Sequence, residues 1–401
     1  MKKYLTILLA FLLLCMVCGC TEQAADTGNY SNANLYCSVN DLLFLNDWDR
    51  VMHGALDTDY SLCRDPLCTH DKFDETCPES TWFFANNWYQ TDGERVFMDV
   101  YDQRPGIEYH SKTGQQAPMM RTIYSFDPTE PDNMTKLVEY ETTGALAGLP
   151  FCAAGEYVYY KQNRYLDPDR ETDEVFRIMR VKKTRSAPEE VLDRDFPVST
   201  VFVTDGERFF LTDTNAQVPV CEIYDSESGE SAVISPDGKG VVQTVLYAGD
   251  VYILAKGTTR TTREGTPFTS SDVYRYEDDG SCTLLAENTW GVRFFDGFLW
   301  YTPADLIYYG TVMAFNGIEE APLDIYAKTT GELVRLDPVS GESMTWKADA
   351  DIEFYGYSAG YAIAQLTDYP AYAETGERDR SFYKLELHDD GTVTVKGEIT
   401  P

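Results

Sequence analysis

The sequence contains little positive charge and few histidines. Its 401 residues include 33 Lys and Arg against 66 Asp and Glu, which gives a formal net charge of −33 at pH 7. Such a charge repels phosphate and argues against nucleic acid or anionic lipid headgroups as partners. Only four histidines are present, at positions 53, 70, 110 and 388, so catalysis by a multi-histidine metal site is not expected. No P-loop or dinucleotide glycine fingerprint is visible.

Aromatic residues are plentiful but unevenly chosen. The chain has 28 Tyr and 20 Phe against 6 Trp, and 43% of its residues are hydrophobic. This is enough to bury a core, so the acidity does not indicate disorder. The length allows one large domain or two ordinary ones. The tyrosines and phenylalanines, with few stretches of helical period, favour β structure.

The N-terminus has the pattern of an export signal. Lys2 and Lys3 precede an apolar run, residues 4–17, that is too short for a comfortable membrane span. The run ends in Val17-Cys18-Gly19-Cys20, which resembles a bacterial lipobox. The resemblance implies removal of residues 1–19 as a signal peptide, lipidation of Cys20, and a flexible tether over residues 20–36. An ordinary secretory signal is the alternative.

A repeat predicts the fold. A turn ending in Gly, followed by an alternating aromatic and aliphatic strand, recurs at 92–98, 154–160, 205–211, 248–254, 296–301 and 359–364. A second strand–turn–strand element follows each copy, and a weaker copy lies upstream at 42–62. The period is about 55 residues with about four strands, as in β-propeller blades. We predict an all-β chain with a single seven-bladed propeller over residues 37–401. Six blades are the alternative, and two stacked sandwiches would not explain the repeat count.

The longest connections fall between the second and third strands of the repeats. They cover residues 101–120, 162–174, 257–272, 303–331 and 367–380. In a propeller such loops share one face, and insertions in repeat proteins often map to the binding face. The tyrosines there suit recognition of a carbohydrate or peptide. The predicted binding residues are Tyr101, Arg104, Tyr109, Tyr165, Arg260, Tyr308, Tyr309, Tyr369 and Tyr372.

One compact cluster could hold a metal. Cys63, Cys68, His70 and Cys77 have the spacing C-x4-C-x-H-x6-C within residues 63–77. Three thiolates and an imidazole would complete a closed, structural zinc site. Disulfides are the competing interpretation, since exported chains meet oxidising conditions and Cys37 could complete two pairs. No other cofactor is expected.

Catalytic motifs are weak. Residues 356–360 fit the G-x-S-x-G nucleophile elbow, but the repeat places them in a turn between two strands, where that elbow cannot form. Acidic pairs such as Asp57 and Asp59 carry little information in a chain with 66 acids. No residue is therefore predicted to be catalytic.

The lipobox, the Cys/His segment and the DG-hydrophobic repeats together resemble exported, lipid-anchored β-propeller proteins of Gram-positive anaerobic bacteria. The resemblance implies a binding scaffold on the extracytoplasmic face of the cell membrane, without a defined substrate. We therefore predict a monomeric, non-enzymatic binding or scaffold module that uses the long-loop face for a glycan, peptide or partner protein. The alternative is an extracellular hydrolase or lyase with carboxylates at the channel mouth.

Overall fold

The computed structural model describes residues 88–101, 119–130, 133–142, 151–167, 169, 172–261, 267–313, 322–358, 360–375 and 381–399. It also describes the backbone of residues 36–39, 42–47 and 50–54. The model likewise describes only the backbone, without the side chains, at residues 101, 119, 172, 306–313, 322–329, 358 and 373–375.

The first four sheets follow one another along the chain. The first contains β1 (Tyr36–Val39), β2 (Leu42–Asp47) and β3 (Arg50–Gly54). The second contains β4 (Trp88–Thr91), β5 (Val96–Tyr101), β6 (Met119–Phe126) and β7 (Thr135–Thr142). The third contains β8 (Phe151–Ala154), β9 (Tyr157–Asp167), β10 (Thr172–Lys182) and the short strands β11 (Glu189–Glu190) and β12 (Phe196–Pro197). The fourth contains β13 (Thr200–Thr204), β14 (Arg208–Asp213), β15 (Cys221–Asp225) and β16 (Ser231–Ile234).

The next strands form one continuous sheet of eight strands, which we describe as a fifth and a sixth sheet that share a strand. After a 3-10 turn (Pro236–Gly238), the fifth contains β17 (Val241–Tyr247), β18 (Asp250–Thr261), β19 (Pro267–Tyr276) and the first part of β20 (Cys282–Phe295). The sixth contains the second part of β20, β21 (Phe298–Met313), β23 (Glu332–Leu336) and β24 (Ser343–Lys347). Strand β22 (Pro322–Thr329) pairs with the outer half of β21.

The seventh sheet ends the chain. It contains β25 (Asp351–Ser358), β26 (Tyr361–Thr367), β27 (Phe382–Leu387) and β28 (Val393–Ile399). Helix α1 (Tyr369–Thr375) lies between β26 and β27. All these sheets are antiparallel, and the prediction of an all-β chain is confirmed.

The turn between the first and second strands explains the repeated sequence pattern. At Thr91-Asp92-Gly93, the Thr hydroxyl accepts the Gly N–H at 2.9 Å, and an Asp oxygen accepts the N–H of Arg95 at 2.9 Å. The glycine has φ +89°, which favours a residue without a Cβ. Residues 204–208 repeat the sequence T-D-G-E-R and these bonds, at 2.9 and 2.7 Å. Side chains that bond their own backbone therefore fix this turn locally.

The core forms where neighbouring sheets pack against one another. Tyr159 of the third sheet meets Phe209 of the fourth edge to face, with ring centroids 5.7 Å apart. Trp300 of the sixth sheet stacks on Phe354 of the seventh at 5.0 Å. All four side chains are buried. Because each strand alternates its side chains between two faces, both faces of an inner sheet can be apolar.

The first strands of successive sheets are neighbours. Strand β1 lies beside both β4 and β25, β4 beside β8, β8 beside β13, β13 beside β17, and β20 beside β25. Strands β17 and β20 are linked through β18. The series of first strands therefore begins and ends on β1.

Three segments predicted as long loops are largely strand. Strands β9 and β10 pair as far as Asp167 and Thr172, and β18 and β19 as far as Thr261 and Pro267. Strand β21 continues to Met313 and pairs with β22. Thr, Tyr and Ile are frequent there, and such residues favour extended, paired backbone. The prediction of loops at 162–174, 257–272 and 303–331 was wrong for the residues that the structure describes there, most of which form hairpin extensions.

No helix in the part of the chain that the structure describes has both the length and the apolar character needed to cross a membrane.

Gly257 is expected to tolerate no side chain. A Cβ at this position would lie 2.6 Å from Ser270 Oγ and 2.7 Å from Asp272 Oδ1, and both neighbours are buried. Gly257→Ala should lower the free energy of unfolding, measured in urea, by about 1–3 kcal/mol because an overpacked site must shift. The matched control is Gly397→Ala in β28, where no atom lies within 4 Å of the added Cβ. Equal stability of the two variants would contradict the prediction.

Candidate functional site

The sheets direct their long connections to one edge. In an antiparallel meander, the connection between the second and third strands leaves from the edge at which the first strand begins. We call this the long-connection edge. The hairpin extensions β9–β10, β18–β19 and β21–β22 and helix α1 all extend from it.

Three of these extensions contact one another. Arg260 Nη1 on β18 forms an ion pair with Asp305 Oδ1 on β21 at 2.7 Å. Helix α1 packs against β21 and β22. We call residues 257–261, 303–313, 322–329 and 369–375 the hairpin rim. The rim joins extensions of the fifth, sixth and seventh sheets at the same edge.

A cavity of about 430 Å³ lies between these three sheets, where their first strands begin. This volume falls within the range of small-molecule sites, roughly 300–1,000 Å³. The residues that line it are Val242, Leu254, Lys256, Thr269, Ser271, Trp290, Gly291, Val292, Arg293, Thr302, Ile352, Glu353 and Phe354.

Two cationic side chains stand on the cavity wall. Lys256 on β18 is exposed, and its ammonium forms no ion pair or hydrogen bond with the side chains that the structure describes. Arg293 on β20 donates from Nη1 to the Val292 carbonyl at 2.8 Å. Burial lowers the pKa of Arg293 to about 10, against the opposing influence of nearby Tyr355 and Glu353. Arg293 is therefore still protonated at neutral pH, and both cations can attract an anion.

Glu353 is the one carboxylate among the described residues that line the cavity. It lies on β25, the first strand of the seventh sheet, and it is exposed. The wall also holds Trp290, whose ring lies 5.3 Å from that of Phe268. Its apolar part contains Val242, which is 39% exposed, and the buried Leu254, Val292, Ile352 and Phe354. In such a cavity the two cations can bind an anionic group and the apolar surface can orient an apolar group attached to it. The carboxylate can exchange a proton.

A bend in β20 positions Arg293. Asn288 and Gly291 have φ of +52° and +60°, and the pairing with β21 shifts between Trp290 and Arg293. The Asn288 N–H donates to Asp272 Oδ1 at 2.8 Å, and Lys239 Nζ lies 2.7 Å from Asp272 Oδ2. The buried, ion-paired Asp272 thus anchors the bend.

Four predicted binding residues have described side chains, Tyr165, Arg260, Tyr369 and Tyr372, and none of these four lines the cavity. Arg260, Tyr308, Tyr309, Tyr369 and Tyr372 belong to the hairpin rim, and the rings of the last two lie 6.4 Å apart. Tyr165 lies opposite Glu174 in the third sheet, and Tyr101 is the last residue of β5. The other site residues predicted from the sequence lie outside the described residues, and these are Arg104, Tyr109, Cys20, Cys63, Cys68, His70 and Cys77.

Lys256, Arg293 and Glu353 were not predicted as site residues. The predicted binding residues lie in connections, whereas these three lie in strands. One signal was available, because Arg293 and Glu353 are charged residues in the first strands of their sheets. The corresponding strand of the third sheet, Phe151–Ala154, is entirely apolar and buried.

Residues 356–360 do not form a nucleophile elbow. Strand β25 ends at Ser358, Gly360 has φ +84°, and β26 begins at Tyr361. The elbow requires a strand followed by a helix. Among the residues that the structure describes, no group of three or more His, Cys, Asp or Glu could hold a metal ion.

Comparison with known proteins yields likenesses of structure alone. No family model and no curated protein matches the sequence. The β-propeller domain of the Trilobed protease from Pyrococcus furiosus matches 77% of this chain and 82% of its own, with 11% identity and a TM-score of 0.42. The acylaminoacyl peptidase of Pyrococcus horikoshii matches 71% of this chain, with 15% identity and a TM-score of 0.42. A puromycin hydrolase matches 94%, with 12% identity and a TM-score of 0.45.

The prediction of a non-enzymatic binding or scaffold module is contradicted by these matches, whose names are those of peptidases and a hydrolase. The chain spans 44% of the acylaminoacyl peptidase and 55% of the puromycin hydrolase. At these identities and TM-scores the likeness transfers no residue and no reaction. What the cavity can do follows from its own residues.

Proposed function

We propose that the chain is a seven-bladed β-propeller with one sheet per blade. Two features support this: the described strands divide into seven successive groups, the fifth and sixth of which share β20 within one continuous sheet, and the series of first strands begins and ends on β1. The first blade would hold the weak upstream repeat. We further propose that Cys20 carries a lipid and holds the propeller at the extracytoplasmic face of the cell membrane.

We propose that this propeller is a hydrolase with its active site in the cavity at the long-connection edge. The observation that carries the proposal is the combination of Glu353 with Arg293 and Lys256 in one cavity of about 430 Å³. Hydrolysis needs a group that takes a proton from water and returns it to the leaving group, and a carboxylate can do both. It also needs a fixed charge that holds the substrate in place, and a cation can bind a substrate that is an anion.

The reaction proceeds in two proton transfers. Arg293 and Lys256 hold an anionic group of the substrate, so that the scissile bond lies beside Glu353. The Glu353 carboxylate accepts a proton from water while the water oxygen forms a bond to the electrophilic carbon. The same carboxyl then gives that proton to the leaving group as its bond breaks, which restores the carboxylate.

Filling the cavity should abolish turnover. The full-length chain, purified in detergent, is tested on quenched-fluorescent peptides, chromogenic esters and aryl glycosides. We expect hydrolysis of at least one class, and loss of at least about 90% of that turnover in Val242→Trp, because Val242 lines the cavity.

The matched control is Val233→Trp on β16, a valine that is 66% exposed and is not among the lining residues of the cavity. It should hydrolyse the same substrate at the wild-type rate. Absence of turnover on every class, or equal loss in both variants, would refute the cavity as an active site.

A further inference from the structure

We infer that the cavity recognises the C-terminal end of a peptide, with a free carboxylate and an apolar last residue. This deepens the proposed function and rests on it for the cleavage step alone. The cavity has two chemically different parts, which are a pair of cations and a wall of aliphatic and aromatic side chains.

The cations favour an anionic ligand. In a chain with a formal charge of −33, Arg293 and Lys256 outnumber the single carboxylate of the described cavity wall. A guanidinium presents its N–H groups in a planar fork that matches a carboxylate, and an ammonium adds a mobile point charge. Because Lys256 on β18 and Arg293 on β20 line the same cavity, one carboxylate can be held between them.

The hydroxyl groups disfavour a sugar. Thr302 Oγ1 already donates to the Trp290 carbonyl at 3.0 Å, and Thr269 Oγ1 is bonded to Thr259 Oγ1 at 2.9 Å. A saccharide carries a hydroxyl on nearly every carbon, and each one buried without a partner costs about 1–3 kcal/mol. Ser271 carries the one other hydroxyl among the described residues of the wall, so few neutral groups are left to satisfy them.

The apolar wall favours a hydrophobic side chain beside the carboxylate. Val242, which is 39% exposed, and the half-buried Trp290 line the same space as the cations, and the buried Leu254, Val292, Ile352 and Phe354 pack behind them. A terminal Leu or Phe would bury its side chain there, which contributes about 1.5–3 kcal/mol when burial is complete. In a C-terminal residue the carboxylate and the apolar side chain are attached to the same α-carbon. A ligand of this kind can therefore contact both parts of the wall at once.

This placement puts the last peptide bond next to Glu353. Water adds to the carbonyl carbon of that bond, a C–O bond forms, and Glu353 accepts the proton. The C–N bond then breaks, and Glu353 passes the proton to the leaving amine. The products are a peptide shortened by one residue and a free apolar amino acid, and water is the only co-reactant.

The test measures binding by fluorescence anisotropy with the full-length chain. The probe is a labelled hexapeptide ending in Phe with a free carboxylate, compared with the same peptide as a C-terminal amide. We expect the free acid to bind at least about tenfold more tightly. Lys256→Met should lower the affinity for the acid about tenfold and leave the amide unchanged, because the charge–charge attraction alone is removed.

The matched control is Lys347→Met on β24, whose side chain is 69% exposed and pairs with Glu332 at 3.5 Å. It should bind both probes as the wild type does. Equal binding of acid and amide, equal effects of the two lysine variants, or tighter binding of an oligouronate than of the peptide acid would overturn the inference.

The two proposals fail separately. Carboxylate-dependent binding without release of free Phe would refute the hydrolase proposal and leave the recognition inference standing. Release of Phe from the acid and of phenylalaninamide from the amide at equal rates would do the reverse.

Discussion

Replacing Arg121 with methionine is expected to lower the free energy of unfolding by about 3–5 kcal/mol at pH 7. Arg121 Nε lies 3.0 and 3.1 Å from the two oxygens of Asp99, and Tyr140 Oη donates to Oδ2 at 3.2 Å. Asp99 is fully buried between strands of the second sheet. Without the guanidinium its charge would remain in the core with one hydrogen bond. Urea unfolding of variant and wild type measures the loss.

The loss should shrink as the pH falls. Burial already raises the pKa of Asp99 above its usual value, and removal of Arg121 removes the charge that opposes this rise. A carboxyl with a raised folded-state pKa binds a proton more tightly when folded, so the stability of the variant increases as pH falls through the window between its unfolded and folded pKa. An equal deficit at pH 7 and pH 4.5 would contradict this account.

An exposed ion pair supplies the control. Lys136 Nζ lies 3.0 Å from Glu139 Oε2, and both side chains are 47% exposed. Lys136→Met should change the free energy of unfolding by no more than about 0.5 kcal/mol, because water screens the pair. The second sheet contains both sites, so the comparison isolates burial.

Replacing Glu353 with glutamine is expected to lower kcat about 10²–10⁴-fold on whichever substrate the cavity hydrolyses. An amide cannot accept the proton of water or return it to a leaving group. KM should stay similar or fall, because a negative charge beside an anionic substrate is removed while the two cations remain. Steady-state kinetics of the purified variant separate these two parameters.

Glu342→Gln is the matched control, an exposed glutamate in the turn between β23 and β24. It should retain the wild-type kcat. If Glu353→Gln keeps more than a tenth of kcat while Val242→Trp loses turnover, the cavity is the site but this carboxylate does not transfer the proton.

The sequence predicted the strands and their grouping because the determinants are local. A turn such as Thr91-Asp92-Gly93 is held by hydrogen bonds among its own residues and their immediate neighbours. Alternation of aromatic and aliphatic residues along five or six positions predicts a strand. The hairpin extensions were harder to predict. Segments 257–272 and 303–331 carry turn-forming and charged residues typical of loops, yet the two arms of each segment pair with each other, as Arg260 does with Phe268 and Val312 with Leu323.

The cavity could not be predicted by the same means. Its polar groups come from β18, β20 and β25, which are separated by dozens of residues, and only the packing of three sheets brings them together. In the sequence, Lys256 ends an apolar run and Arg293 stands between Val292 and Phe294. Each has the pattern of an ordinary strand residue until its neighbours in space are known.

Strand β20 couples the opening of two sheets because it belongs to both. Its 14 residues serve the outer edge of the fifth sheet, where Cys282 pairs with Tyr276, and the inner edge of the sixth, where Arg293 pairs with Trp300. Thr289 pairs with both Ser271 and Pro303. If either sheet opens at this strand, the other sheet also loses hydrogen bonds, so the amide protons of both sheets should exchange with solvent as one cooperative unit. Local opening of the cavity wall therefore requires the free energy needed to open two sheets rather than one.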